Sequence, residues 1–190
     1  MATKLEKVNA KTAAELCTRF DLEGAEAHAI LKDEMPPGEF FDLLIAKEYF
    51  PDAVRLLAYG LPARDAVNWA CQCARERPSP NPKTETESAL KAAESWVASP
   101  DDNRARAALE AAQAAELSTP EGCTAMAAFF SGENIAPAGA AAVPPPPDVA
   151  PKIVSGAILM AAVLVEPEHA AAHYRRFLDL GIQVANGKFV

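Results

Sequence analysis

Two histidines, His169 and His173, lie four residues apart in a stretch with helical periodicity, so both imidazoles fall on one helix face, as a metal site requires. They define one reading of the chain, a metal-dependent enzyme with these two side chains as ligands. The pair lacks the adjacent glutamate of the H-E-x-x-H pattern, and the sequence offers no third ligand close by. His173 also falls on an apolar stripe, where a boundary histidine bonded to a backbone group is the plainer reading. Four cysteines, Cys17, Cys71, Cys73 and Cys123, fall inside segments with helical pattern. Cys71 and Cys73 are two apart, so on a helix they point in different directions and do not chelate together. Burial as small apolar side chains in reduced form is the expectation for all four. Phosphate-binding glycine loops, nucleophile-elbow serines and dinucleotide fingerprints are absent from the sequence. No catalytic, cofactor-binding or metal-binding residue is assigned, and no cofactor is expected.

A different kind of chemistry resides in residues 132–151, which hold six prolines, four of them consecutive at Pro144 to Pro147. Such a run imposes extended polyproline geometry. Pro144 and Pro147 have the P-x-x-P spacing that docks into aromatic-lined grooves, which makes them the candidate partner-binding residues. The alternative is a stiff connector crossing the helices.

The elements that position these residues all read as helices. Thr12 and Glu15 have capping-box spacing, followed by Leu16, Cys17 and Phe20 on one face, and Gly24 precedes a second short stretch. Met35 to Gly38 reads as a stop. Phe40, Phe41, Leu44 and Ile45 form the next stripe, and Pro51 and Pro62 each suit a helix start. In the helix after Pro62, Ala63, Ala66, Val67, Ala70 and Cys73 face inward while Arg64, Asn68 and Arg75 oppose them. Arg77 to Pro82 reads as a loop. Ala89, Leu90, Ala93, Trp96 and Val97 line the following helix. Ser99 and Pro100 predict the cap and first turn of another, carrying Ala105, Ala108 and Leu109 inward and pairing Arg106 with Glu110 outside. Thr119 and Pro120 open a helix whose predicted stripe is Cys123, Met126, Ala127 and Phe130. After the strap, Ile153 to Val165 reads as a helix buried on all sides, and Ala170, His173, Tyr174, Phe177 and Leu178 give the last helix its inner face up to a stop or bend at Gly181. No stretch alternates with period two over enough β-branched residues to predict a strand. The fold class is therefore all-α: an N-terminal helical appendage over 1–38, then over 39–190 a compact bundle of about eight short helices, with the proline-rich strap before the last two.

Bulk composition agrees. Half of the residues are hydrophobic and few are aromatic; the abundant alanine favours helix and lets helix backbones approach closely. A formal charge of −8 repels a nucleic-acid backbone or an anionic membrane. The run Ile153 to Val165 falls short of the roughly 20 residues a membrane span needs. Met1 to Ala14 has no continuous apolar stretch, from which we expect no export signal and a cytoplasmic location. Protein partners are expected, without nucleic acid or membrane.

Specific segments carry a resemblance. They are Leu61 to Cys71; Trp96-Val97 with Pro100 and Asn103-Arg104; Thr119 to Gly122; Ala127 to Gly132; Val143 to Pro147; Ser155 to Ala157; and Tyr174 to Gly181. Together they resemble an uncharacterised bacterial all-helical domain family, some of whose members lie in type VI secretion gene neighbourhoods. The resemblance spans about residues 40 to 187 and brings no catalytic residues with it. It implies an accessory, adaptor or chaperone-like role. The expected function is a non-catalytic helical interaction module that binds a protein through the strap or an alanine-lined groove. The alternatives are the metal-dependent enzyme and an immunity-type protein whose acidity suits a basic toxin.

Overall fold

The structure, a computed structural model, describes residues 2–76, 83–137 and 139–188. The expected loop Arg77 to Pro82 lies outside the described residues. Among those described, every regular element is helical and there is no strand. The helices are α1 (Ala13–Cys17), α2 (Ala25–Ile30), α3 (Pro37–Ala46), α4 (Phe50–Gly60), α5 (Ala63–Glu76), α6 (Thr84–Ala98), α7 (Asp102–Ala115), α8 (Pro120–Phe130), α9 (Val149–Val163) and α10 (Ala170–Ala185), with a 3-10 turn at Pro167–His169 before the last.

Local chemistry explains most boundaries. The Thr12 hydroxyl accepts from Glu15 N at 3.2 Å, and the Glu15 carboxylate reaches back to Lys11 N at 3.1 Å. Thr119 caps α8 by accepting from Gly122 N at 3.1 Å. Pro37, placed above in a stop, instead starts α3, because a proline at the first helical position gives up only a donor that has no intrahelical partner. The start of α7 also differs. Asp101, not Ser99, is the cap and accepts from Arg104 N at 2.7 Å, while Ser99 closes α6.

The core is built on close helix approach. α5 and α9 lie at its centre: α9 packs on α4, α5, α8 and α10, and α5 on α6, α8, α9 and α10. α6, α7 and α8 pack on one another as successive hairpins with short links. Fully buried Trp69 on α5 donates its indole N–H to the Phe177 carbonyl on α10 at 2.7 Å. The N-terminal segment joins the same core through Ala13, Leu16, Leu22, Ala27 and Met35. Backbone bonds from Lys7 N to Ala185 O and from Asn9 N to Gly60 O, both 2.9 Å, tie it to the ends of α10 and α4.

Several faces depart from the sequence reading. On α8 the buried residues are Glu121, Gly122, Thr124, Ala125, Ala127, Ala128 and Phe129, whereas Cys123, Met126 and Phe130 are only half-buried. Gly122 sits against the link from α7, where a Cβ would lie 2.2 Å from Glu116 O. α9 ends at Val163, and Val163, Leu164 and Val165 are exposed instead of enclosed. α10 runs through Gly181 without stopping, because that glycine lets the helix press against Trp69. Arg106 pairs with Asp102 at 2.8 Å and not with Glu110, in the acid-before-base order that suits a helix. Among the described residues no single helix is long and apolar enough to cross a membrane.

Candidate functional site

His169 and His173 do share a face, with ring centroids 6.5 Å apart and planes at 80°. Glu166 Oε2 lies 3.8 Å from His169 Nδ1 and 3.7 Å from His173 Nε2. His173 Nδ1 is bonded to the Ala162 carbonyl at 2.9 Å, and its ring stacks on Phe177 with centroids 6.3 Å apart. The three side chains do not form a set able to hold a metal ion, and no other group of three His, Cys, Asp or Glu side chains does so among the described residues. His173 is thus packed as a boundary residue with a backbone partner.

The four cysteines are free thiols. Burial pushes all of them upward in pKa: Cys17, also facing the charge of Asp52, is pushed up to about 12, and Cys71, Cys73 and Cys123 are raised as well. A thiol nucleophile needs the opposite shift, produced by a nearby cation or helix N-terminus. None of the four is tuned for attack.

The strap runs from the end of α8 to Asp148 and is fastened at both ends. Near its start, the Asn134 side-chain oxygen accepts from Ala136 N and Val143 N, each at 2.9 Å, and Ile135 N donates to Val143 O at 2.8 Å. At its far end Asp148 adopts left-handed backbone, φ 65°, turning the chain into α9, and its carboxylate accepts from Arg19 Nε at 2.9 Å. Arg19 in turn donates through Nη1 to the Tyr59 carbonyl at 2.8 Å. The segment between these anchors holds Pro144 and Pro147, both exposed, beside Val143, which is 48% exposed. Pro144 lies in the irregular stretch after Val143, whereas Pro147 begins the turn that leads through Asp148 into α9. The alanine-walled hollow between α4, α5 and α9 is smaller, about 160 Å³, enough for only a few water molecules at ~30 Å³ each.

A second feature was missed by the sequence reading, which placed Arg64, Asn68 and Arg75 on an outward face. They border a cleft of about 720 Å³ between α5, α6 and α10. Its rim is stitched by ion pairs: Arg75 with Glu94 and Glu87 at 2.8 Å each, and Arg176 with Glu76 at 2.8 Å. Arg64 Nε donates to the Val97 carbonyl at 2.6 Å, against the C-terminal end of α6. Deeper in, Asn68 is only 5% exposed. Its amide nitrogen, and that of Gln72 one turn along α5, are buried with no hydrogen-bond partner. The recurrence of Arg64, Asn68, Gln72 and Arg75 at helical spacing was the available signal.

No curated protein and no solved structure matches the chain. The model of a family of unknown function, DUF6931, matches residues 40–185, a span that takes in the strap, the cleft and all of α4 through α10, and the chain belongs to that family.

Proposed function

We propose that the protein is a non-catalytic helical interaction module that docks a protein partner on its proline strap, serving as an accessory or adaptor of a bacterial secretion system in the cytoplasm. The observation that carries the docking reading is the exposure of Pro144 and Pro147 on a segment held at both ends. Ordering a flexible peptide costs about 1–2 kcal/mol per residue of backbone entropy. A segment already extended and anchored loses little of this on binding, which is why polyproline ligands suit aromatic-lined grooves. The secretion-system part rests on the resemblance of the Leu61 to Cys71, Val143 to Pro147 and Tyr174 to Gly181 segments described above.

Affinity capture from the native host tests this, comparing the wild-type chain with Pro144→Ala/Pro147→Ala. Both prolines are exposed, so the double variant keeps the helical circular-dichroism spectrum. A specific protein retained by the wild type and depleted about tenfold or more with the variant is the expected outcome, equivalent to roughly 1.4 kcal/mol or more of binding energy. Equal retention by both chains, or no reproducible partner for either, would overturn the reading.

A further inference from the structure

We propose that the cleft between α5, α6 and α10 binds a small organic carboxylate with an apolar body, its acceptor oxygens taken by the side-chain amides of Asn68 and Gln72. The inference is independent of the strap and concerns a ligand, not a protein partner.

Four observations lead to it. First, the amide nitrogens of Asn68 and Gln72 are buried without partners, and Asn68 is more than nine-tenths buried. Removing a polar group from water without replacing its hydrogen bond is unfavourable, and buried polar groups in folded chains are nearly always paired. Both residues line the same open cleft, so the missing partner has a place to sit. Second, the unpaired atoms are donors. What completes them must bring acceptors, and the spacing of four residues directs both amides to one side of α5.

Third, three guanidinium groups, those of Arg64, Arg75 and Arg176, line the cleft with Glu76 and Glu94, and Glu87 pairs with Arg75 at the rim, so the local charge is close to balanced in a chain whose formal charge is −8. An anionic acceptor is favoured over a neutral one, because hydrogen bonds to a charged partner are the stronger kind. The arginine forks at the rim are engaged by glutamates, so a single negative charge fits better than a multiply charged phosphate, which calls for uncommitted cations. Fourth, Val97, Ala98 and Leu180 supply apolar wall, and about 720 Å³ is within the range of small-molecule sites. A carboxylate head on the amides with a hydrocarbon or ring body against this wall satisfies all four.

The test uses the full chain, 15N-labelled, titrated with hexanoate and phenylacetate and, in parallel, with the alcohols hexanol and 2-phenylethanol. The expected result is a saturable shift of the Asn68 and Gln72 side-chain NH2 resonances with a carboxylate probe, about tenfold weaker or more with its alcohol counterpart. Asn68→Leu, close in volume, removes the unpaired donor; it is expected to hold or raise the melting temperature while weakening the carboxylate about tenfold or more. Gln72→Leu, at a half-buried position, serves as a second variant should Asn68→Leu fold poorly, with the same loss expected. The proposal is overturned if neither carboxylate gives a saturable shift of these resonances at its solubility limit. It is equally overturned if alcohol and carboxylate bind alike, or if the folded leucine variants bind as the wild type does. The strap variants leave this titration unchanged, so the two proposals fail separately.

Discussion

Asp52 on α4 is 2% exposed and accepts from Glu23 N at 3.0 Å and from Arg55 Nη1 at 3.1 Å. Burial outweighs these two stabilising contacts and holds its carboxyl above the usual 3.8. The folded chain therefore binds this proton more readily than the unfolded chain does, in a window that opens at the usual value and extends upward. Stability contributed by this residue is greatest below that window and falls as pH rises through it. The stability difference between wild type and Asp52→Asn, followed by thermal melts across pH, is expected to move in favour of the variant as pH rises from about 4. Movement in favour of the wild type over that range would contradict the burial argument. The same scale shows what single residues reveal in sequence. His173 could be placed at a boundary with a backbone partner because it coincides with the apolar stripe that carries Phe177. Asn68 could not be read this way. Periodicity sorts residues into apolar and polar faces and assigns the polar face to water, whereas here α6 and α10 flank that face of α5 and leave the amide buried.

At the scale of elements, helix existence was legible and helix orientation was less so. Caps and prolines at Thr12, Pro51, Pro62 and Thr119 announce their helices through local bonding, which needs no tertiary information. Which arc of α8 turns inward depends on how closely its neighbours approach, and there alanine, threonine and glycine win over Met126 and Phe130. Gly181 is the instructive case. A glycine late in a helical pattern reads as a terminator, yet a Cβ there would lie 2.8 Å from Trp69 Cε2 and 2.8 Å from Leu57 Cδ1. The buried indole, held by its bond to the Phe177 carbonyl, has little room to yield. Gly181→Ala gains helix propensity of up to about 1 kcal/mol but overpacks this contact at a cost of about 1–3 kcal/mol. A net loss of up to about 2 kcal/mol in urea unfolding is expected; a more stable variant would show that α10 does not press on Trp69 as described.

For the whole molecule, the N-terminal segment, the strap and the core are interlocked. Arg19, just after α1, grips Asp148 at the far end of the strap and the Tyr59 carbonyl on α4. This clamp is not legible in sequence, because Arg19 and Asp148 are 129 residues apart, whereas the strap itself is plain from its prolines. The result is a small-residue helical core that carries an anchored, proline-rich segment on its surface. A photo-crosslinking amino acid at Val143, 48% exposed on the strap, compared with the same group at Leu117, 51% exposed at the α7–α8 link, tests that display most directly in the native host. Covalent capture of one discrete protein from position 143 and not from 117 is the predicted result. Capture of the same protein equally from both positions, or of none from position 143, would contradict the claim that the strap is the docking element.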